Sequence, residues 1–292
     1  MHKGREEIPS SVKLKVRRRC GFGCVICGLP LYEYHHVIPY AVSRNHDPDN
    51  ITLLCDRHHK EATNGLLPST KIAEANLRPL NKRSNISTPF GLHFGSPIEV
   101  IIGGNSLATL TARHEPYAVT AIRIDDVDII GLQASKSSEL FLNIQIFSMD
   151  GFPILYVHEN EIIYSVEKAW DVEFKGKTLT IREAKRKVLL KLRFDPPHRV
   201  SIVQGVIAYM GAGVFVFPKH IVVANTLQVF KGFKVERSEI GLFVGDKDKK
   251  KGAAAIATYL TKDERNLTAF EVERMRREAH KLTRRSENSI HP

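Results

Sequence analysis

Long apolar runs are missing from this sequence of 292 residues. No stretch approaches the roughly 20 apolar residues that cross a bilayer, and the opening segment MHKGREEIPS lacks the apolar stretch of a signal peptide. We therefore expect a cytoplasmic protein. Cysteine is also scarce, and the four cysteines all lie near the start of the sequence, at Cys20, Cys24, Cys27 and Cys55. In a reducing compartment, clustered cysteines indicate a metal site rather than disulfides.

Acidic side chains are outnumbered, since 43 Lys and Arg face 32 Asp and Glu, a formal net charge of +11. The excess lies at both ends of the sequence. Residues 1–88 carry 14 basic and 8 acidic side chains, residues 247–292 carry 12 and 7, and residues 89–246 carry 17 of each. Two basic ends around a neutral middle predict contact with a polyanion, most simply nucleic acid. For residues 247–292, ordinary solubilising charge is an equally good explanation.

Residues 89–246 show no fixed repeat but many short runs of β-branched and aromatic residues. ELFLNIQIF and GVFVFP are examples, and turn formers such as Asp150-Gly151 and Lys175-Gly176 separate such runs. Apolar residues alternate with more polar ones in ELFLNIQIF, as in a half-buried strand. We predict a mainly β domain, a sandwich in preference to a short solenoid, that serves for partner binding or assembly.

The remaining segments complete an α+β organisation. Residues 1–65 form the first domain, and residues 66–88, which are mostly polar with two prolines, are interpreted as a linker with one short helix. Residues 247–292 are predicted to be a basic tail with a C-terminal helix, because Thr261-x-x-Glu264 and Thr268-x-x-Glu271 are capping-box patterns.

Two pairs of metal-binding residues share one spacing. Cys24-x-x-Cys27 is followed, about thirty residues later, by Cys55-x-x-His58. Four such ligands make a tetrahedral structural zinc site, which helps a small unit to fold. Cys20 lies nearby and is an alternative to His58 as the fourth ligand.

The cysteines and two adjacent histidine pairs occur in a recognisable order. CGFGCVICG precedes YHHVIPY, and DNITLLCDRHHKEATNG follows. This arrangement resembles the HNH endonuclease family, whose module is a β-hairpin followed by a helix around a metal. The resemblance covers roughly residues 17–65 and nothing in the rest of the sequence.

The resemblance implies roles for four residues. His36 matches the general base, Asn50 the residue that holds the loop and orients that base, and His35 and His59 the ligands of a catalytic Mg²⁺ or Mn²⁺. A neutral imidazole suits the activation of water, and a cation suits the charge that develops on the phosphate and the leaving oxygen. Since strand neighbours point to opposite faces, His35 and His36 reach one site only if the strand end is twisted.

The implied function is that of a metal-dependent DNA endonuclease or nickase. A nuclease module on a larger binding domain is the form expected of an effector in anti-phage defence. The basic arm VKLKVRRRC, residues 12–20, is expected to contact phosphates through Arg17, Arg18 and Arg19, and the closing helix through Lys60. A solvated strand edge explains the arm as well. The alternative is a zinc-stabilised DNA-binding protein whose module does not cleave. The β domain is expected to form a homo-oligomer or to bind a protein partner.

Overall fold

The computed structural model describes residues 7–113 and 115–288, so the extreme ends of the predicted first domain and tail lie outside the described residues. The fold is α+β, as predicted. It divides into two compact units, Met1–Phe90 with Ile163–Lys187 and Gly91–Ile162 with Val188–Pro292. None of the helices described is both long enough and apolar enough to cross a membrane.

The secondary-structure elements are numbered in chain order. The helices are α1 Ser10–Cys20, α2 Tyr40–Ser43, α3 Asp56–Thr63, α4 Ser69–Leu77, α5 Leu80–Ser84 and α6 Val272–Asn288, with short 3₁₀ turns at Pro48–Asn50 and Lys247–Lys249. The strands are β1 Glu33–His36, β2 Ile51–Leu54, β3 Phe90–Gly91, β4 Ile98–Ile102, β5 Asn105–Leu110, β6 Tyr117–Ile124, β7 Val127–Ala134, β8 Leu140–Phe147, β9 Pro153–His158, β10 Glu161–Tyr164, β11 Asp171–Lys175, β12 Thr178–Ala184, β13 Lys187–Asp195, β14 Arg199–Tyr209, β15 Ala212–Phe217, β16 His220–Val223, β17 Val229–Phe230, β18 Ile240–Gly245 and β19 Ala254–Tyr259.

The first unit is built on a β-hairpin and a helix. Strands β1 and β2 pair antiparallel, with His35 opposite Thr52 and His36 opposite Ile51, and α3 follows β2 after one residue. Helix α1 precedes them and ends at Gly21, which adopts a left-handed backbone conformation (φ +70°) that glycine adopts without steric cost. The core of this unit consists of buried side chains from α1, β2, α4 and the first cysteine turn: Val16, Cys20, Cys24, Val25, Ile51, Leu53, Leu54, Cys55 and Ile72.

Residues 66–88, interpreted above as a linker, are packed into the first unit. They form α4 and α5, and Ile72 of α4 is buried in the core. Asn81 of α5 is also buried, and its Nδ2 donates hydrogen bonds to the carbonyl oxygens of Gly21 (3.0 Å) and Gly28 (2.9 Å). Prolines before each helix supply the N-terminal boundaries. In this segment prolines therefore begin helices rather than mark a linker.

The hairpin β11–β12 also belongs to the first unit, although its sequence was assigned to the β domain. Asp171 of β11 is buried against Arg17 of α1, and the Tyr164 hydroxyl donates a 2.7 Å hydrogen bond to the carbonyl oxygen of Phe22. Alternation of apolar residues identifies a strand but does not identify the element that the strand packs against. The sequence boundary at residue 89 therefore places this hairpin in a different domain from the one that contains it.

The second unit contains two sheets that pack face to face. One has the strand order β19-β18-β6-β7-β8-β9, and the other has β13-β14-β15-β16-β17, with β4 parallel to β14 and antiparallel to β5. Strand β8 contacts β14, and β15 contacts β18. The alternating residues of β8 are buried as predicted: Leu140, Leu142, Ile144 and Ile146. The unit is therefore a sandwich rather than a solenoid.

Residues 247–292, predicted to be a helical tail, contain a strand before the helix. Strand β19 pairs in parallel with β18, and α6 follows it. Val272, Met275 and Ala279 of α6 pack against a sheet face that includes Phe215 and Val222. Spacings of three and four residues place these α6 side chains on one helix face. The apolar stripe is narrow, but it packs α6 against the sheet.

The basic charge is concentrated in the first unit once the hairpin β11–β12 is included. Residues 1–90 and 163–187 carry 21 basic and 12 acidic side chains, whereas the second unit carries 22 and 20. Nine of the eleven net positive charges therefore belong to the unit that contains the paired histidines.

Candidate metal centre and active site

Cys24, Cys27, Cys55 and His58 form a compact cluster in the first unit. Their ligand atoms all lie within 4.8 Å of one another. The Cys27 and Cys55 sulfurs are 3.7 Å apart, and His58 Nδ1 lies 3.4 Å from the Cys24 sulfur and 3.2 Å from the Cys55 sulfur. Tetrahedral coordination with Zn–S bonds of about 2.3 Å requires sulfurs about 3.8 Å apart. Both the donor types and the spacing therefore fit a zinc ion.

Local structure explains how these four side chains meet. Cys24 and Cys27 lie in a turn closed by a 2.7 Å hydrogen bond from the Gly28 amide to the Cys24 carbonyl. Cys55 precedes α3 and His58 lies in its first turn. A hydrogen bond from the Cys27 thiol lowers the pKa of Cys24 below its ordinary value. One thiolate, the form that binds metal, is thus favoured before an ion arrives.

Cys20, the alternative fourth ligand, lies outside this cluster. It is the last residue of α1, is fully buried, and its sulfur lies 3.8 Å from Thr52 Oγ1 and 3.7 Å from Asn76 Oδ1. Burial raises the pKa of the Cys20 thiol. The structure thus brings His58 rather than Cys20 to the other three residues, because α1 directs Cys20 toward β2.

His59 faces away from the zinc cluster and meets His35. Neighbouring residues of a helix diverge by about 100°, so His58 and His59 serve different sites. The rings of His35 and His59 lie edge to face with centroids 5.1 Å apart, and a carboxylate oxygen of Glu33 lies 3.5 Å from His59 Nδ1. Imidazole and carboxylate are donor types that divalent ions bind, but among the described residues these three do not form a cluster as compact as that of Cys24, Cys27, Cys55 and His58.

Burial makes His35 a neutral imidazole. Burial, followed by the nearby His59 and His36, lowers the pKa of His35 from its ordinary value to about 4. The ring is therefore uncharged near pH 7, which is the form that binds a metal.

His36 lies at the end of β1 and contacts a histidine that the motif does not include. Its Nε2 is 3.2 Å from His46 Nδ1, and His46 stacks on Tyr40 with ring centroids 4.8 Å apart. His35, His36 and His59 all line one cavity of about 740 Å³. The strand ends at His36, so the alternation of a regular strand does not separate the two neighbouring histidines.

Asn50 fixes the backbone directly after His36. Its Oδ1 accepts a 2.6 Å hydrogen bond from the Ile38 amide, its Nδ2 donates a 3.0 Å bond to the Ile38 carbonyl, and its own carbonyl accepts a 2.9 Å bond from Val37. The Asn50 side chain is not among those that line the cavity. In this position Asn50 holds the loop that follows His36 and lies outside the cavity lining.

His46 and Tyr40 belong to this site although neither is part of the sequence motif. His46 lies in the segment between the two halves of the motif, and nothing in its spacing separates it from an ordinary surface histidine. Tyr40 is the first residue of the short helix α2, which turns the chain back toward His36. An aromatic residue and a histidine in one loop are weak evidence for a functional site. Their contact depends on the turn that lies between them.

Two of the four residues expected to contact nucleic acid have structural partners instead. Arg17 is 6% exposed and makes two 2.8 Å hydrogen bonds to the Asp171 carboxylate. Arg19 donates a hydrogen bond to the Pro48 carbonyl (2.7 Å) and another to the Ile51 carbonyl. The expectation that Arg17 contacts phosphate is wrong, because its side of α1 faces the core, and Arg19 is largely committed to the turn before β2.

The other two expected contacts are accessible. Lys60 is exposed on α3, next to His59. Arg18 is exposed on α1, and its guanidinium carbon lies 5.5 Å from the centre of the Trp170 ring. Both side chains present their charge to solvent.

Residues 19–65 match the family model described as HNH endonuclease. The match contains the zinc cluster, both histidine pairs and the ββα unit, and it ends before α4. No curated protein and no solved structure matches the sequence. The chain therefore contains an HNH domain, which connects it to nuclease chemistry and to nucleic acid, and the remaining residues have no family match.

Proposed function

We propose that this protein is a metal-dependent DNA endonuclease or nickase that hydrolyses phosphodiester bonds in the cavity of His35, His36 and His59. The observation that carries the proposal is the convergence of these three side chains on one cavity, beside a cysteine-histidine cluster with zinc geometry. A structural zinc needs all four positions filled by protein, whereas two histidines leave positions open for water and phosphate.

In the proposed reaction His36 removes a proton from the attacking water. Protonation makes both ring nitrogens of His36 donors, and the nitrogen of His46 at 3.2 Å then accepts a hydrogen bond from the imidazolium. Asn50 holds the backbone that follows His36, so the base does not turn away from the cavity. A divalent ion held by His35 and His59 would stabilise the charge on the phosphate and on the leaving 3′ oxygen.

The direct experiment is incubation with supercoiled plasmid and Mg²⁺ or Mn²⁺, with and without EDTA. Relaxed circles identify a nickase and linear DNA a double-strand endonuclease, and EDTA should abolish both. His158→Ala, which changes an exposed histidine of the second unit, is the matched control for variants of the site histidines. Binding of DNA without any product, for every metal ion, would contradict the proposal and favour the zinc-stabilised binding protein.

The second unit is proposed to control the nuclease through self-association or a protein partner. Its 22 basic and 20 acidic side chains provide little net attraction for phosphate. An unrestrained nuclease in the cytoplasm would endanger its host, which supports a regulated role such as anti-phage defence. Analytical ultracentrifugation of the full chain tests self-association, and protection from phage in cells that express it tests the role.

A further inference from the structure

A second concave surface on the first unit shares no lining residue with the histidine cavity. This groove has a volume of about 1110 Å³ and is formed by α1, the end of α4, α5 and residues of the β11–β12 region. No carboxylate lines it, whereas six exposed basic side chains do: Lys15, Arg18, Arg78, Lys82, Arg83 and Lys185. We refer to it below as the α1–α5 groove.

The positive charge of the α1–α5 groove lies on exposed side chains. None of the six basic side chains forms an ion pair with a carboxylate in the part of the chain that the structure describes. Arg17, on the same helix, shows the contrast, since Asp171 pairs with it. Like charges that line one concavity reinforce each other and attract a polyanion. The groove is therefore suited to a ligand with several phosphates.

Trp170 adds an aromatic face to the groove. It is half-buried, and the Arg18 guanidinium lies over its ring at 5.5 Å, while Leu14 and Leu77 supply apolar surface nearby. An indole beside a guanidinium offers a stacking surface for a nucleobase. The bases of a duplex are already stacked inside it, so only an unpaired strand presents base faces to such a surface.

We propose that the α1–α5 groove binds single-stranded nucleic acid, with phosphates on the six basic side chains and a base stacked against Trp170. The proposal deepens the proposed function and rests on it, since it assigns to the same unit a site for unpaired strand outside the cleavage cavity. Charge complementarity favours a polyanion, and the aromatic face favours nucleic acid over an acidic peptide.

Trp170 is also the single tryptophan of the sequence, so intrinsic tryptophan fluorescence reports on this groove alone. The full chain should be titrated without added Mg²⁺ or Mn²⁺, using an oligodeoxythymidylate of about 10 nucleotides, a length within the usual range for single-strand sites. We expect quenching of Trp170. In anisotropy measurements with the labelled oligonucleotide, Trp170→Leu should weaken binding by about 5- to 150-fold, the range for loss of one stacked base.

Charge reversal tests the phosphate contacts. Lys82→Glu with Arg83→Glu should weaken binding and reduce the slope of log K against log salt by at least about 1.4, because each single-strand contact contributes about 0.7. Lys71→Glu with Lys175→Glu is the matched control, since both lysines are exposed on the same unit but do not line the groove. The control pair should change neither quantity.

Three results would overturn the proposal. They are the absence of any fluorescence change with the oligonucleotide, equal quenching by duplex DNA of the same length, and equal quenching by polyglutamate. The plasmid assay keeps the two hypotheses apart. Cleavage without quenching would contradict the groove proposal and support the nuclease proposal. Quenching without cleavage would contradict the nuclease proposal and support the groove proposal.

Discussion

His36 Nε2 and His46 Nδ1 lie 3.2 Å apart, across a turn of ten residues. Tyr40 completes the arrangement, because its ring stacks on His46 and lies 5.6 Å from the ring of His36. The proposed base is therefore held from two directions, by Asn50 through the backbone and by His46 through the ring. The second of these contacts makes His46 a positioning residue for the proposed reaction.

Replacement of His46 tests this relationship. His46→Ala should reduce plasmid cleavage by about 10- to 150-fold, since a hydrogen bond to a charged group contributes about 1.5–3 kcal/mol. His46→Asn should recover much of the activity, because the amide oxygen of asparagine can occupy the place of Nδ1. If His46 had a purely structural role, the Ala and Asn variants would lose the same activity as each other, and the same free energy of unfolding. Unchanged cleavage by His46→Ala would exclude the positioning role.

Replacement of His36 should have the larger effect. His36→Ala removes the proposed base, so cleavage should fall by about 10²–10⁴-fold, the usual contribution of general acid–base catalysis. DNA binding, zinc content and the thermal unfolding midpoint should stay close to those of the parent. Cleavage within a factor of a few of the parent rate, with His158→Ala as the reference, would assign the base elsewhere.

The zinc cluster should determine whether the first unit folds. Cys24→Ser or Cys55→Ser removes a ligand, and apparent zinc-binding free energies of about 10–16 kcal/mol in small domains are folding free energies. Metal analysis of the parent should find about one tightly held zinc per chain, and these variants should lose both the zinc and the cooperative unfolding of that unit. Cys20→Ala should retain the zinc, because Cys20 faces Thr52 and Asn76. Loss of zinc from that variant alone would restore Cys20 as the ligand.

The short-range features of the site could be predicted from the sequence because they are encoded as spacings. Two ligand pairs, each with its two residues three positions apart, indicate a zinc site when the fold brings the pairs together. The adjacent pair His58-His59 predicts two different directions on a helix. Contacts such as those of His46 and Arg17 could not be predicted, because each depends on a partner that only the three-dimensional turn, or a distant hairpin, brings close.

The domain boundaries likewise depend on contacts that the sequence pattern does not encode. Short β-branched and aromatic runs predict strands throughout residues 89–246, yet β8 belongs to the sandwich and β12 to the first unit. The prolines before α4 and α5 favour a linker when only the sequence is considered, although proline also begins helices. A pattern of periodicity therefore predicts an element, whereas the identity of its packing partner depends on buried pairs such as Arg17 and Asp171.

The buried ion pair of Arg17 and Asp171 should be costly to break from one side. Their side chains are 7% and 2% exposed. Burial opposes the charge on Arg17, but its hydrogen bonds to Asp171 outweigh that effect and raise the pKa of Arg17 above its ordinary value. Asp171→Ala should therefore lower the free energy of unfolding by about 3–5 kcal/mol, because it leaves the buried charge of Arg17 without its main partner and with only the longer contact to Glu173 (3.4 Å).

Denaturant unfolding of the full chain measures this loss. Glu74→Ala is the matched control, since Glu74 pairs with Lys71 on the surface of α4 and exposed pairs contribute about 0–1 kcal/mol. The double variant Arg17→Met with Asp171→Leu should recover much of the stability, because it removes both charges. A loss for Asp171→Ala no larger than that for Glu74→Ala would show that the pair does not hold the hairpin to α1.

The basic side chains near the C-terminus should contribute less to DNA binding than their number suggests. Arg274 of α6 pairs with Glu271 and with Glu278, and Arg265 pairs with the buried Asp125. Lys60 forms no ion pair within the described residues and lies next to His59.

Each cation that neutralises a phosphate of duplex DNA contributes about 0.9 to the slope of log K against log salt. In a His36→Ala background without added Mg²⁺ or Mn²⁺, Lys60→Ala should therefore lower that slope by about 0.9, and Arg274→Ala should leave it unchanged. Anisotropy titrations with a labelled duplex over a salt series provide the comparison. An equal change in both variants would mean that the C-terminal helix contacts DNA directly, as the net charge of its segment first suggested.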